Sequence, residues 1–193
     1  MTVVSKVTAG FAMCGSFCTF SKVLEQLETL VAQGVEVVPI MSEFAHSTDT
    51  RFGTAESFNN KIKEITGKEI IADIRSAEPI GPKKMLDILI IEPCTGNTLA
   101  KLANGIADTS VTLAAKAHLR NGKPVLIAVS TNDALAFAAQ NIGRLLNNRN
   151  IYFVPMRQDD SFNKPRSVVA DFSLTWQAMK SALEGVQLQP IIK

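Results

Sequence analysis

Six apolar runs of strand length, separated by amphipathic stretches of helix length, constrain the fold of this chain more than any other feature. The runs are KVTAGFAM (6–13), VEVVPI (35–40), EIIAD (69–73), LDILIIEP (86–93), KPVLIAVS (123–130) and IYFVPM (151–156). Several are apolar at successive positions. A strand with one wet face alternates, so unbroken apolar runs mark strands covered on both faces, as in a parallel sheet. After the first run, Phe20, Val23, Leu24, Leu27, Leu30 and Val31 recur at helical spacing and form one apolar stripe. Phe172, Trp176, Met179 and Leu183 repeat that stripe near the end, with Asp171 expected as its N-cap.

Alternation of this kind implies right-handed crossovers and an α/β fold, a three-layer flavodoxin-like or Rossmann-like sandwich with a mostly parallel sheet. At 193 residues the chain is expected to form a single domain over 1–193. No internal repeat or low-complexity tract interrupts it. Residues 42–56 are polar and read as loop, with Thr54 able to cap a following helix, and 157–168 read as an exposed excursion before the last helix.

The net charge of +2 is thinly spread, with no basic run longer than Lys83-Lys84, so nucleic acid is not an expected partner. No apolar run approaches the ~18 residues of a membrane span. MTVVSKVTAGFAMCGSF lacks a basic segment before an apolar block, so it reads as a first strand rather than a secretion signal. Cys14, Cys18 and Cys94 cannot make a full disulfide framework and suit a reducing cytoplasm. They read as small buried side chains, and no metal site is expected.

In an open parallel sheet, ligands collect beyond the carboxyl ends of the strands, at the switch in strand order. The residues there are Cys14-Gly15-Ser16-Phe17, Ser42-Glu43, Thr95-Gly96-Asn97-Thr98 and Ser130-Thr131-Asn132-Asp133. Each turn is small and rich in hydroxyl or amide groups, and each is expected to lead into a helix. One such turn is a cap; four at the same edge suggest a lining. The sequence contains no G-x-x-x-x-G-K-[ST], G-x-G-x-x-G or G-x-S-x-G pattern, so P-loop and standard dinucleotide readings lose their main support and a serine hydrolase is weakened. What remains is a helix start at Gly15 and Ser16, whose N–H groups suit an anion.

Pro93-Cys94-Thr95-Gly96-Asn97-Thr98, followed by Ala100-Lys101 and Gly105-Ile106-Ala107-Asp108, resembles the proline–small–small–Asn–Thr turn of the flavin-binding Cys-decarboxylase-like superfamily. The resemblance implies that this turn contacts FMN, and that Gly15, Ser16, Phe17 and Ser42, with Ser130, Thr131 and Asn132, complete the flavin contacts. DTRFGTAESF, AEPIGPKKMLDILIIEPCTGNTLAKLANGIADT, KAHLRNGKPVLIAVSTNDAL and NIYFVPMRQDD are similar to one branch of that superfamily. Its members serve as the flavoprotein-like component, the B-type subunit, of an oxidoreductase. For this chain that implies a partner of the A type carrying NADP, and oxidation of a dihydrodipicolinate to dipicolinic acid in the mother-cell cytoplasm during endospore formation. It also implies a homo-oligomer.

The chain departs from the decarboxylases in having Ser130-Thr131-Asn132-Asp133 where they carry Pro-Ala-Met-Asn, which weakens a decarboxylation reading. Their catalytic histidine has no counterpart motif here. His46, in a polar loop, is a weak candidate acid or base. His118, near a helix end, is expected to oppose the helix dipole with a partly positive ring. Arg157, Lys164 and Arg166, with Arg51, are candidates to receive the two carboxylates of the substrate. Two rival readings stay open: a free-standing FMN-dependent decarboxylase-like enzyme, and a non-catalytic assembly subunit that has lost flavin binding.

Overall fold

The structure, a computed structural model, describes residues 7–193, so Lys6 of the first expected strand lies outside the described residues. The chain runs β1 (Thr8–Met13), α1 (Phe20–Ala32), β2 (Glu36–Met41), α2 (Glu43–Ser47), α3 (Ala55–Thr66), α4 (Ile74–Ala77), β3 (Ile88–Cys94), α5 (Gly96–Ala103) and α6 (Ser110–Arg120). It continues through β4 (Val125–Thr131), α7 (Phe137–Leu146), β5 (Ile151–Phe153), β6 (Met156–Arg157), β7 (Val168–Ala170) and α8 (Thr175–Leu183).

Among the described residues seven strands form one sheet. β2, β1, β3 and β4 lie side by side and parallel, and the chain reverses its direction of travel across the sheet between β1 and β3. β4 then serves two neighbours along one edge. Val125, Leu126 and Ile127 pair with parallel β5, while Ser130 and Thr131 pair with antiparallel β7, which in turn pairs with β6. The sheet is therefore mostly parallel, with an antiparallel ribbon at the carboxyl end of β4. This is the flavodoxin-like order, whose switch point is the ordinary ligand edge.

Both faces of the central strands are dry, as their unbroken apolar runs require. One layer packs Leu89, Ile91 and Ile127 under Leu99 of α5, Val111 and Ala114 of α6 and Leu145 of α7. The other packs Phe11, Ile88, Ile90 and Leu126 under Phe20, Val23 and Leu27 of α1, Ile62 of α3 and Met179 of α8. Burying one such side chain contributes roughly 1.5–3 kcal/mol, so these layers dominate the stability of the fold. Gly10 in β1 is a packing requirement: a Cβ there would lie 2.6 Å from Leu86 Cδ1 and 2.9 Å from Leu89 Cδ1.

Several local expectations are corrected. EIIAD forms no strand. Ile71 makes a single bridge to Ile40 at the sheet edge, and Asp73 then accepts the Ser76 N–H to start α4. The run 151–156 splits at Val154-Pro155, where the proline cannot donate to a ladder. Residues 42–56 contain α2, capped by Ser42, and Thr54 caps α3 as expected. The 157–168 excursion is anchored at both ends by the β6–β7 ribbon. Asp171 does not cap α8 with its side chain; its carboxylate accepts from Ser173 Oγ and Lys193 Nζ instead. Of the last stripe, Met179 is buried, Trp176 is half-buried and carries Lys180 over its ring, and Leu183 lies at the surface.

Candidate functional site

The carboxyl ends of β1, β3 and β4 open into a cleft of two adjoining chambers. The larger, about 790 Å³, is lined by Gly15, Ser16, Phe17, Thr95, Gly96, Asn97, Ser130, Thr131 and Asn132. The smaller, about 680 Å³, reaches the end of β2 and takes in Ser42 and Thr98 together with Cys14, Glu43 and Phe44. Gly15, Thr95 and Asn97 line both chambers. All eleven residues named as cofactor contacts thus meet on one edge, as expected where four strand ends converge.

Two of the four turns are built by ordinary capping chemistry, at Ser42 and Thr95, whereas Ser16 and the β4 turn make no side-chain cap. Thr95 caps α5 by accepting the Thr98 N–H at 3.3 Å. Thr98 Oγ1 then donates to Cys14 Sγ at 3.2 Å, joining the ends of β3 and β1. Ser16 Oγ and Ser130 Oγ meet at 2.8 Å, so the end of β3 is bridged over from both sides by hydroxyls. Thr131 donates to the Asp133 carboxylate. The backbone at Gly96 passes so close to that pair that a Cβ would lie 2.7 Å from Thr131 Oγ1 and 2.8 Å from Asp133 Oδ1. Asn97 is exposed into the cleft, with no side-chain hydrogen bond among the described residues. The β4 turn leads into a helix as expected, but residues 132–136 form further turns before α7.

Charge in the cleft is sparse and largely paired. The larger chamber holds Asp133, Asp159 and Lys164, with Lys164 Nζ 3.3 Å from Asp159. The smaller holds Glu43, Lys101 and Asp108, with Lys101 Nζ 2.8 Å from Asp108. That lysine holds the Asp108 carboxyl below its ordinary range. Burial pushes the Cys14 thiol up to about 11 and Cys94 well up, so neither is a thiolate nucleophile at neutral pH. Cys18 is exposed, which corrects the reading of all three cysteines as buried.

The remaining candidates scatter. His46 sits in the last turn of α2, where its carbonyl accepts from Asn59 Nδ2, and it lines neither chamber. Arg51 stacks over Phe52, 4.9 Å from the ring centroid, and Phe52 lines the larger chamber. Lys164 also lines it, whereas Arg157 and Arg166 are exposed and do not. His118 is structural but not charged. Burial lowers it to about 4, and its Nε2–H donates to the Pro124 carbonyl at 3.1 Å. Among the described residues no cluster of His, Cys, Asp and Glu is suited to a metal, and no helix is long and apolar enough to cross a membrane.

Sequence reasoning placed Asp133 at the ligand edge without assigning it a contact, and it missed the wall formed by Asp159, Ser167, Val168 and Val169. That wall comes from β7 and the segment between β6 and β7, which are too short and irregular to leave a periodic signal.

The donor set suits a polyol chain, and Phe17, Phe52, Val168 and Val169 offer apolar surface to a flat ring. Residues 2–174 match the Flavoprotein family. The chain is 47% identical over 183 residues, 95% of its length and 92% of the relative's, to the B-type subunit of dipicolinate synthase from Bacillus subtilis (strain 168). It is similar to the crystal structure of the same dipicolinate synthase component from Bacillus halodurans C, with a TM-score of 0.89 and 44% identity over 97% of this chain and 96% of that one. The FMN-dependent cysteine decarboxylase SpaF is similar over 92% of this chain and 95% of its own, with a TM-score of 0.63 and 25% identity.

Proposed function

The chain belongs to the Flavoprotein family, and from that premise we propose that it binds FMN and acts as the B-type subunit of a dipicolinate synthase. With an A-type partner carrying NADP, it oxidises a dihydrodipicolinate to dipicolinic acid in the cytoplasm of the mother cell. The observation that carries this reading is the two-chamber cleft at the switch point, whose uncharged polar lining is hydroxyls and the Asn97 and Asn132 carboxamides, beside the apolar surface of Phe17, Phe52, Val168 and Val169. FMN, when bound, supplies a hydride acceptor. Thr95, Asn97, Ser16 and Ser42 hold its ribityl and phosphate groups, helped by the positive ends of α1 and α5. Phe17 and Phe52 would offer its ring apolar surface.

The substrate's two carboxylates explain the need for a partner. Among the described residues the larger chamber offers one ammonium, Lys164, already shared with Asp159, and Asp133 adds a second negative charge. A dianion is poorly received by such a lining. Lys164, with Arg51 nearby, meets one carboxylate, and we assign the remaining positive charge to the A-type partner or to a second copy of this chain in a homo-oligomer. The SpaF likeness supports the flavin but not decarboxylation, because the Ser130–Asp133 turn replaces the decarboxylase signature.

Titration of the purified chain with FMN, followed by flavin fluorescence and the visible spectrum, tests the reading. Saturable binding that sharpens when the A-type partner is added supports it. Absence of binding with and without that partner overturns it in favour of a non-catalytic assembly role, and release of CO₂ from a cysteine-ended peptide overturns it in favour of a decarboxylase.

A further inference from the structure

β3 loses register with β4 just before the turn that carries Thr95 to Thr98. Ile91 pairs with Ile127 and Cys94 with Val129, so Glu92 and Pro93 together oppose the single residue Ala128, a β-bulge. The extra residue reverses the alternation of side chains. Ile88 and Ile90 face the α1/α8 layer and Leu89 and Ile91 the opposite one, yet Cys94 falls with the odd-numbered pair. Glu92, still in phase with Ile90, points toward α8. It is fully buried, and Thr175 Oγ1, at the start of α8, donates to its Oε2 at 2.7 Å. Its Oε1 has no partner among the described residues. Pro93, its neighbour in the bulge, accepts the Cys14 N–H at the end of β1.

A carboxylate with one hydroxyl donor in an apolar layer is too costly to keep charged, so the group holds its proton; burial pushes it up to about 8. Among the described residues no cation faces it, and Thr175 is its one donor. The same layer presents Met13 of β1, Ala128 of β4, Phe20 of α1 and Met179 of α8. The ionisable residues of α1 and α8, namely Lys22, Glu25, Glu28 and Lys180, are exposed, and Asp171 is engaged by Lys193. Cys14 and Cys94 lie in the opposite layer, and His118 of α6 is turned to Pro124. The other ionisable residues of α6, Lys116 and Arg120, are exposed.

We propose that Glu92 is a positioning residue: its proton holds the β3 bulge against α8 and so sets the turn on which the flavin rests. The positioning half rests on the FMN reading above; the proton-linked packing does not. Neutral, Glu92 accepts from Thr175 and leaves the bulge closed. Ionised, it draws water or a cation, and the first turn of α8 and the bulge must part. The displacement reaches Thr95 three residues later and Cys14 through Pro93. The sign follows from the raised folded-state value. The proton favours the folded form, so stability is greatest below the ordinary glutamate range and declines as pH rises toward about 8.

The test compares the flavin-free wild type with Glu92→Gln, which keeps the shape and the acceptor for Thr175 but cannot ionise. Unfolding midpoints and FMN dissociation constants are measured from pH 5 to pH 9. The wild-type midpoint should fall steadily relative to the variant between pH 5 and 8. Its dissociation constant should rise about tenfold by one pH unit above the Glu92 midpoint, as titration of a single required proton dictates, while the variant changes less than twofold. Parallel midpoint profiles for the two proteins overturn the proposal. Diverging midpoints with parallel FMN profiles overturn the positioning half alone. Diverging midpoints without FMN binding overturn the flavin reading and leave the proton-held bulge standing. If Glu92→Gln does not fold, Thr175→Val decides: removing the one donor to the ionised form should move the alkaline fall to higher pH, and an unmoved profile overturns the proposal.

Discussion

Helices α5 and α6 begin with the same chemistry and both starts border the cleft, Thr95 both chambers and Thr109 the smaller one, but only α5 leaves an amide side chain unengaged there. Each opens on a T-x-x-T pattern, Thr95–Thr98 and Thr109–Thr112, in which the first threonine accepts the backbone N–H of the second. At α6 the arrangement closes on itself. Thr112 Oγ1 accepts the Thr109 N–H, Glu43 Oε1 takes the Ser110 N–H at 3.0 Å, and Ser110 Oγ donates to the Met41 carbonyl. At α5 the second hydroxyl is diverted to Cys14, a glycine replaces the buried serine, and Asn97 presents its amide to the cleft. A capping motif becomes a seat when its neighbours leave polar groups unengaged.

The largest expected effect concerns the far end of α6, which is as closed as its start. His118 is neutral in the fold, with its value lowered to about 4 from the ordinary 6.5. Because the folded value is depressed, this contribution is present above pH 6.5 and is lost as pH falls toward 4. Relative to His118→Gln, the wild type should lose about 2–3 kcal/mol of stability between pH 7 and 4.5, read from denaturant unfolding. An identical acid slope in both proteins would mean that α6 is not sealed at that end.

Next is Asn97→Ala. If the α5 turn is a seat, FMN affinity should fall by about 1–3 kcal/mol while the unfolding midpoint stays within a degree or two, because the amide bonds nothing among the described residues. A variant with wild-type affinity would return the turn to the status of a cap. Ser110→Ala should do the reverse and by somewhat less. It strips the Met41 carbonyl of its donor and costs about 1–2 kcal/mol of stability, with FMN affinity within twofold of wild type. Loss of affinity there would erase the contrast between the two helix starts.

How much of this could be read in the sequence follows the same line. The strands Thr8–Met13, Glu36–Met41, Ile88–Cys94 and Val125–Thr131 were legible because each is apolar on both faces, a pattern that the chain itself carries. The four turns were legible from their residue types and their place after those runs. The difference between Thr95 and Thr109 was not, since it depends on Glu43, Met41 and Cys14, which arrive from elsewhere in the fold. Ile71 was read as part of a strand because it is apolar, but it reaches the sheet edge for one bridge only. Glu92 passed as the polar end of a strand, because a bulge is a relation between two strands and no periodicity records it. His118 was placed correctly at a helix end, yet its charge is decided by burial against Pro124, which spacing cannot show.

The fork in β4, where one edge is given first to β5 and then to β7, frees the arc between Arg157 and Val168 from any duty to the core. Its two ends are pinned by main-chain pairing to strand residues, the Arg166 carbonyl accepts the Leu135 N–H, and Asp159 and Lys164 line the cleft. Lengthening such an arc raises its closure entropy only logarithmically. In evolutionary terms it is the adjustable part of an otherwise fixed tool: insertions, deletions and charge swaps between 158 and 165 can retune what enters the cleft without rebuilding the strand ends that line it.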